Sequence, residues 1–195
     1  IQTERYDEAL AFVDKLKAAS PDRALFYTAY LYERKGDGNS AAREYARVAQ
    51  NTDGVNLQIF WRARAGQLRC AFRADKINDF QNFAADTLSR AEEVPAETMA
   101  ILYYFQGHLN YKRGRQNPDK FDEALDNFVR VFILYDTPET REMSAEAAYL
   151  AGELCELIAT RNRPELRAEA RRLFTHCASA FRDSEWGNKA RGKLR

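Results

Sequence analysis

The chain has 195 residues, 45% of them apolar and 30% charged, and its 30 basic and 29 acidic residues leave a formal net charge of +1. This charge balance argues against a protein that binds nucleic acid through many phosphate contacts, including RNA-reading helical repeats, and it gives no reason to expect binding to an anionic membrane surface. No run of about 18 apolar residues occurs, so no transmembrane helix is predicted.

Helical periodicity runs along the chain, and no strand-like alternation interrupts it. The prolines fall where a helix should begin or end, because proline cannot occupy a helix interior without breaking it. The sequence therefore predicts an all-α fold of about ten helices. In chain order they are expected at residues 4–18, 22–35, 39–51, 55–74, 77–93, 96–113, 119–135, 140–160, 164–180 and 184–194.

These helices follow a pattern of pairs. The first helix of a pair carries an aromatic residue and then a small residue, and the second carries a stripe such as the one in KFDEALDNFVRVF, formed by Phe121, Ala124, Phe128 and Val131. Small residues allow two helices to approach closely, and bulky residues fill the space on either side. Each pair leaves an apolar flank that a neighbouring pair can cover, so a repeating array is predicted.

The pattern resembles the tetratricopeptide repeat (TPR) family over nearly the whole chain. The clearest match is YYFQGHLNYKRG followed by FDEALDNFVRVF, and FDEAL has a near copy, YDEAL, at the start of the chain. The small residues of the first helices match at Ala29, Ala65, Gly107 and Gly152, and the second-helix alanines at Ala9, Ala41, Ala84, Ala124 and Ala170. The small residues of the first helices lie further apart than the 34-residue repeat of the family, because several loops or helices are longer.

The resemblance implies a right-handed superhelical solenoid of antiparallel helix pairs in a single array over 1–195. Its parts would be the second helix of a truncated repeat (1–20), four repeats (22–51, 55–93, 96–135 and 140–180) and a C-terminal capping helix (184–195). The chain opens at Ile1 with no initiator Met, so we take it as a fragment or a processed form. The phrase FRDSEWGNKARGKL resembles one in TPR proteins of the bacterial cell envelope, with Arg182 in place of the usual proline, and implies the periplasm.

No constellation of catalytic or metal-binding residues is recognisable. The two histidines, His108 and His176, have no second ligand three or four residues on, and no phosphate-binding glycine loop, GxSxG or HExxH motif is present. We therefore expect no enzymatic activity, no cofactor and no metal. The three cysteines are expected to be buried thiols, with a Cys155–Cys177 bridge as the alternative, so they do not decide the compartment.

In TPR arrays the first helices line a concave groove, and the resemblance implies which residues face it. They are Phe26, Tyr30 and Arg34; Arg62, Gly66, Arg69 and Arg73; Tyr104, His108, Tyr111 and Lys112; and Tyr149, Glu153 and Glu156. The second of these helices carries four arginines and no acid, and Gly66 would let a ligand backbone approach. The two glutamates on the last helix would make that end of the groove acidic.

Two interpretations of the arginines stay open: a site for an acidic segment or a terminal carboxylate, or side chains that are solvated or paired with acids of neighbouring helices. About half of the aromatic groove residues are expected to be core. Phe26 and Tyr30 stand where TPR proteins that bind chaperone C-termini have a clamp of Lys and Asn, so that clamp is not predicted.

The sequence therefore favours a non-enzymatic protein–protein interaction scaffold that binds a peptide or a partner helix in its groove. The alternative is a structural module that mediates assembly of a larger multi-domain or envelope protein. Neither the identity of the partner nor the oligomeric state follows from the sequence.

Overall fold

The structure, a computed structural model, describes residues 2–50 and 56–195. Over these residues the chain is all-helical, with ten α-helices, one 3₁₀ turn and no strand, which confirms the predicted fold class. The predicted helix end at 51 and start at 55 lie outside the described residues. The α-helices, α1 to α10, are Gln2–Leu16, Pro21–Lys35, Gly38–Gln50, Leu57–Arg73, Ile77–Ser89, Ala96–Gly114, Asp119–Leu134, Arg141–Arg161, Leu166–Ala180 and Glu185–Lys193, and the 3₁₀ turn is Ala91–Glu93.

Local chemistry fixes several helix ends. Gly36 ends α2 with a φ of 88°, a left-handed conformation that glycine adopts without steric cost. Asn56 caps α4, because its side chain accepts a hydrogen bond from the backbone N–H of Gln58 at 2.9 Å. Ser184 caps α10 in the same way, accepting from the backbone N–H of Gly187 at 3.0 Å.

The described residues form two compact units, and the first ends at Thr98. Within the first unit adjacent helices pack in succession, and α2 also packs against α4. A cluster of buried side chains joins α2, α3 and α4, with Ala29, Ala41, Tyr45 and Ala63 at its centre. The single array predicted over 1–195 remains a prediction.

The second unit begins at Met99, and its pairs are built on a repeated contact between glycine and phenylalanine. Gly107 of α6 lies against the ring of Phe128 of α7, and Gly152 of α8 lies against the ring of Phe174 of α9. A Cβ at either glycine would fall within 3 Å of the ring. Helix α10 then packs against both α8 and α9.

The small residues predicted to lie between helices are buried, as expected. Ala29, Ala65, Gly107 and Gly152 are all buried, and so are the second-helix alanines from Ala41 onward, whereas Ala9 is half-buried.

The three cysteines are buried free thiols, and burial raises the pKa of each to about 11. The alternative Cys155–Cys177 bridge is therefore not formed. Among the described helices, none combines the length and the apolar character needed to cross a membrane.

Candidate functional site

An open cleft of about 590 Å³ lies in the first unit between α2 and α4. Six of the residues predicted to face a groove line it, and the remaining lining residues are Tyr27, Glu33, Ala65 and Glu97. The six are Phe26, Tyr30, Arg34, Arg62, Arg69 and Arg73. Phe26, Tyr30 and Glu33 follow one another at spacings of four and three along α2, so one helical face supplies this wall.

The α2 wall is aromatic. The rings of Phe26 and Tyr30 are stacked with their centroids 6.5 Å apart, and Tyr27 meets Phe26 edge-on at 5.5 Å. Tyr27 and Tyr30 are 44% and 41% exposed, which is high for large rings. They therefore offer flat, rigid, amphipathic contact area that needs little ordering on binding.

A buried ion-pair network forms the floor at the other end of the cleft. Glu33 Oε1 accepts a hydrogen bond from Arg69 Nε at 2.7 Å, and Glu33 Oε2 accepts one from Arg69 Nη2 at 2.9 Å, so the pair is bidentate. Arg73 Nη1 donates to Glu33 Oε1 at 2.9 Å, and the Tyr45 hydroxyl donates to Glu33 Oε2 at 2.8 Å. The network thus joins α2, α3 and α4 around one carboxylate.

This network sets the protonation states of its members. Burial raises the pKa of Glu33, but the hydrogen bonds and charges of Arg69, Tyr45 and Arg73 outweigh it, and the pKa lies below its ordinary value of 4.5. Burial, followed by the Glu33 charge, raises the pKa of Tyr45. Burial lowers the pKa of Arg69, but Glu33 more than offsets this, and the pKa rises. Glu33 is therefore ionised, and Tyr45 and Arg69 keep their protons.

The arginines of α4 are not a bare cationic stripe. Glu33 pairs with Arg69 and Arg73, Asp86 of α5 pairs with Arg64, and Glu97 lies 4.0 Å from Arg62. The interpretation in which acids of neighbouring helices pair with the arginines is thus correct for Arg64 and Arg69. Arg73 differs, because 60% of its side chain is exposed although one of its N–H groups is bound.

The expectation that a ligand backbone approaches Gly66 is wrong. Gly66 is buried, and a Cβ placed there would overlap the ring of Tyr45, which is itself fully buried. The glycine is needed because the Tyr45 ring passes directly over the α4 backbone. It acts in packing between α3 and α4 and does not line the cleft.

The predicted residues of α6 are partly core. The His108 ring lies 4.5 Å from that of Tyr104 and 5.2 Å from that of Phe128, and Tyr111 packs 5.9 Å from Phe121. Burial, with a smaller effect of the Lys112 charge, lowers the pKa of His108 to about 4, so the imidazole is neutral near pH 7. Lys112 is exposed.

The last predicted group does not form an acidic end. Lys193 of α10 lies 3.3 Å from the carboxylate of Glu153 and 2.8 Å from that of Glu156, so one cation offsets part of both charges. Tyr149 is buried and donates its hydroxyl hydrogen to Glu153 at 3.0 Å. Glu156 and Lys193 border a separate cleft of about 510 Å³ in the second unit, together with Arg167 and Arg171.

Sequence reasoning missed Glu33, Glu97 and Lys193, each of which pairs with a predicted residue. Glu33 could have been found, because it continues the spacing of Phe26 and Tyr30 on the face that the pattern assigned to the groove. Lys193 could not, because only the packing of α10 brings it to α8. In the described part of the chain, no group of three or more His, Cys, Asp or Glu side chains is placed to hold a metal ion.

Comparison of the sequence with protein-family models finds no match. Comparison with curated proteins finds no significant match either. The resemblance to TPR proteins therefore stays a prediction from the repeated residues of the sequence.

Proposed function

We propose that the chain is a non-enzymatic protein-interaction module, a TPR-like right-handed solenoid that takes a segment of a partner protein in the cleft between α2 and α4. The observation that carries this proposal is the composition of the cleft, in which exposed aromatic rings on one helix face arginines on the other. Aromatic and arginine side chains are the residues that contribute most to protein–protein binding. The envelope-like phrase at the end of the chain favours a partner in the bacterial periplasm.

The rigidity of the cleft supports binding without rearrangement. Glu33 ties the last turn of α2 to the last turns of α4 through Arg69 and Arg73, so the ends of the two helices are held together. A preformed surface loses little conformational entropy when a partner is bound, and this improves affinity for a given contact area.

Photo-crosslinking of the protein in cells tests the proposal. A photoreactive amino acid at Tyr27, which is exposed in the cleft, should form a crosslink to a protein partner, and Arg62→Glu combined with Tyr30→Ala should abolish that crosslink. The same photoreactive residue at Ile133, which is exposed on α7 of the second unit, and the variant Arg172→Glu are the matched controls. Crosslinks that persist in the cleft variant would show that the cleft does not bind the partner.

A further inference from the structure

We infer that the cleft recognises an extended segment in which an aromatic or large apolar side chain lies about four residues from an acidic one. This inference rests on the proposed function and specifies the kind of partner segment that the cleft fits. It follows from three features of the cleft. One end is aromatic and the other is rich in arginine, and positive charge is in excess only at the arginine end. The distance between the two ends follows from the length of α4 that separates them.

The first end is aromatic and nearly neutral. Phe26, Tyr27 and Tyr30 supply the rings, and Ala65 of α4 leaves space opposite them. The one arginine at this end, Arg62, has Glu97 at 4.0 Å, so its charge is partly offset. An acidic residue of a ligand would gain little here, whereas an aromatic ring would stack on exposed tyrosines.

The second end carries an excess of positive charge. Arg34, Arg69 and Arg73 lie there, and Glu33 is the one acid among the lining residues at this end. Glu33 is fully engaged by four hydrogen bonds, and its bidentate partner Arg69 is only 19% exposed. The charge that a ligand can reach is therefore that of Arg73 and Arg34.

The second end suits a carboxylate for a geometric reason. Arg73 uses one Nη1–H on Glu33 and keeps further N–H donors on an exposed guanidinium. Arg34 and Arg73 lie in the last turns of α2 and α4, and Glu33 holds these turns together. A carboxylate placed between two guanidinium groups forms charge-assisted hydrogen bonds, which are stronger than neutral ones.

The spacing follows from the helix that forms the wall. Arg62 and Arg73 lie eleven positions apart on α4, and at about 1.5 Å per residue this separates the two ends by roughly 16 Å. An extended chain advances about 3.3 Å per residue, so a segment of five residues, about 13 Å from its first residue to its last, fits within this length. The aromatic and acidic side chains of the ligand should therefore be about four residues apart.

Labelled synthetic peptides test the inference against the full chain by fluorescence anisotropy. The probe is a Gly/Ser peptide with one Phe and one Asp four residues apart, made in both orders because the cleft does not fix the chain direction. Its comparison peptides replace Phe by Ala, replace Asp by Asn, or place Phe and Asp side by side. In one of the two orders, the probe should bind at least about ten-fold more tightly than each comparison peptide, and less tightly as salt is raised.

Two variants assign the two ends. The Arg34→Gln/Arg73→Gln variant should bind the probe peptide and its Asn version equally. It should still bind the probe more tightly than the version with Ala in place of Phe. In the Tyr30→Ala variant, the preference for the Phe peptide over the Ala peptide should fall. The preference for the Asp peptide over the Asn peptide should remain. The control Arg43→Gln/Arg172→Gln removes two exposed arginines outside the cleft and should change neither preference.

The outcomes separate this inference from the proposed function. If the crosslink at Tyr27 depends on the cleft but the spaced and side-by-side peptides bind equally in both orders, the cleft binds a partner and the inferred spacing is wrong. If the Asp and Asn peptides bind wild type equally, the acidic anchor is wrong. A crosslink at Tyr27 that persists in the Arg62→Glu/Tyr30→Ala variant would overturn the proposed function.

Discussion

Glu33 is the residue that holds the arginine wall of the cleft in place. Its side chain is 7% exposed and accepts hydrogen bonds from Arg69, Arg73 and Tyr45. Removing one member of such a buried pair leaves the other charge without compensation. The structural importance of Glu33 is therefore greater than its single charge suggests.

Replacing Glu33 by Gln should destabilise the first unit strongly. Arg69 would keep its charge in a largely buried position without its bidentate partner, so we expect a loss of about 3 kcal/mol in the free energy of unfolding measured with urea. Glu165→Gln is the control, because the Glu165 side chain is 68% exposed. It should change the free energy of unfolding by less than about 0.5 kcal/mol. A loss of the same small size for both variants would show that the network contributes little.

The same carboxylate predicts a pH dependence. Because the pKa of Glu33 in the folded protein lies below the ordinary 4.5, its stabilisation is fully present above the pKa of the unfolded chain and is lost as the pH falls through the lower folded value. The difference in unfolding free energy between wild type and Glu33→Gln should thus be constant from pH 6 to 8 and shrink as the pH falls below about 4.5. A difference that does not narrow under acid conditions would contradict this assignment.

The packing of Gly66 leads to a third prediction at the scale of single residues. A methyl group there would overlap the Tyr45 ring, which cannot move freely because it is buried and bonded to Glu33. Gly66→Ala should therefore destabilise the protein by about 1–3 kcal/mol in thermal or urea unfolding. Gly192→Ala, where a Cβ meets nothing within 4 Å, is the control, and it should be neutral or stabilise α10 by up to about 1 kcal/mol. Equal effects of the two substitutions would count against the packing role.

At the scale of helices, the ten predicted elements are confirmed, because periodic apolar residues and Pro or Gly boundaries are local signals. Helix α5 ends at Ser89, earlier than predicted, because a separate 3₁₀ turn forms over Ala91–Glu93. The aromatic wall was predictable because Phe26 and Tyr30 share a face of one helix. The pairing of Arg69 with Glu33 was not, because the two residues meet only when α2 packs on α4.

The prediction at the scale of helices concerns the N-terminal cap of α10. Ser184→Ala removes the side-chain acceptor for the Gly187 N–H and should lower the unfolding free energy by about 1 kcal/mol. Ser179 is the matched control, because its hydroxyl bonds carbonyls of its own helix, so Ser179→Ala should be neutral or slightly stabilising. Both should be measured by thermal unfolding. A Ser184→Ala protein as stable as wild type would show that α10 does not depend on its cap.

For the whole molecule, a net charge of +1 means that any attraction of an acidic partner must come from the local charges of the cleft. Each unit has its own core, and the aromatic and arginine walls both belong to the first unit. Substitutions confined to the cleft can therefore test binding while the second unit serves as an internal reference for folding.

The most direct test is the dissociation constant of the crosslinked partner, measured for wild type and for Arg62→Glu/Tyr30→Ala by calorimetry. We predict that the cleft variant binds at least about ten-fold more weakly, while Arg172→Glu binds as wild type does. An unchanged dissociation constant in a cleft variant that unfolds at the wild-type temperature would contradict the assignment of the cleft as the binding site.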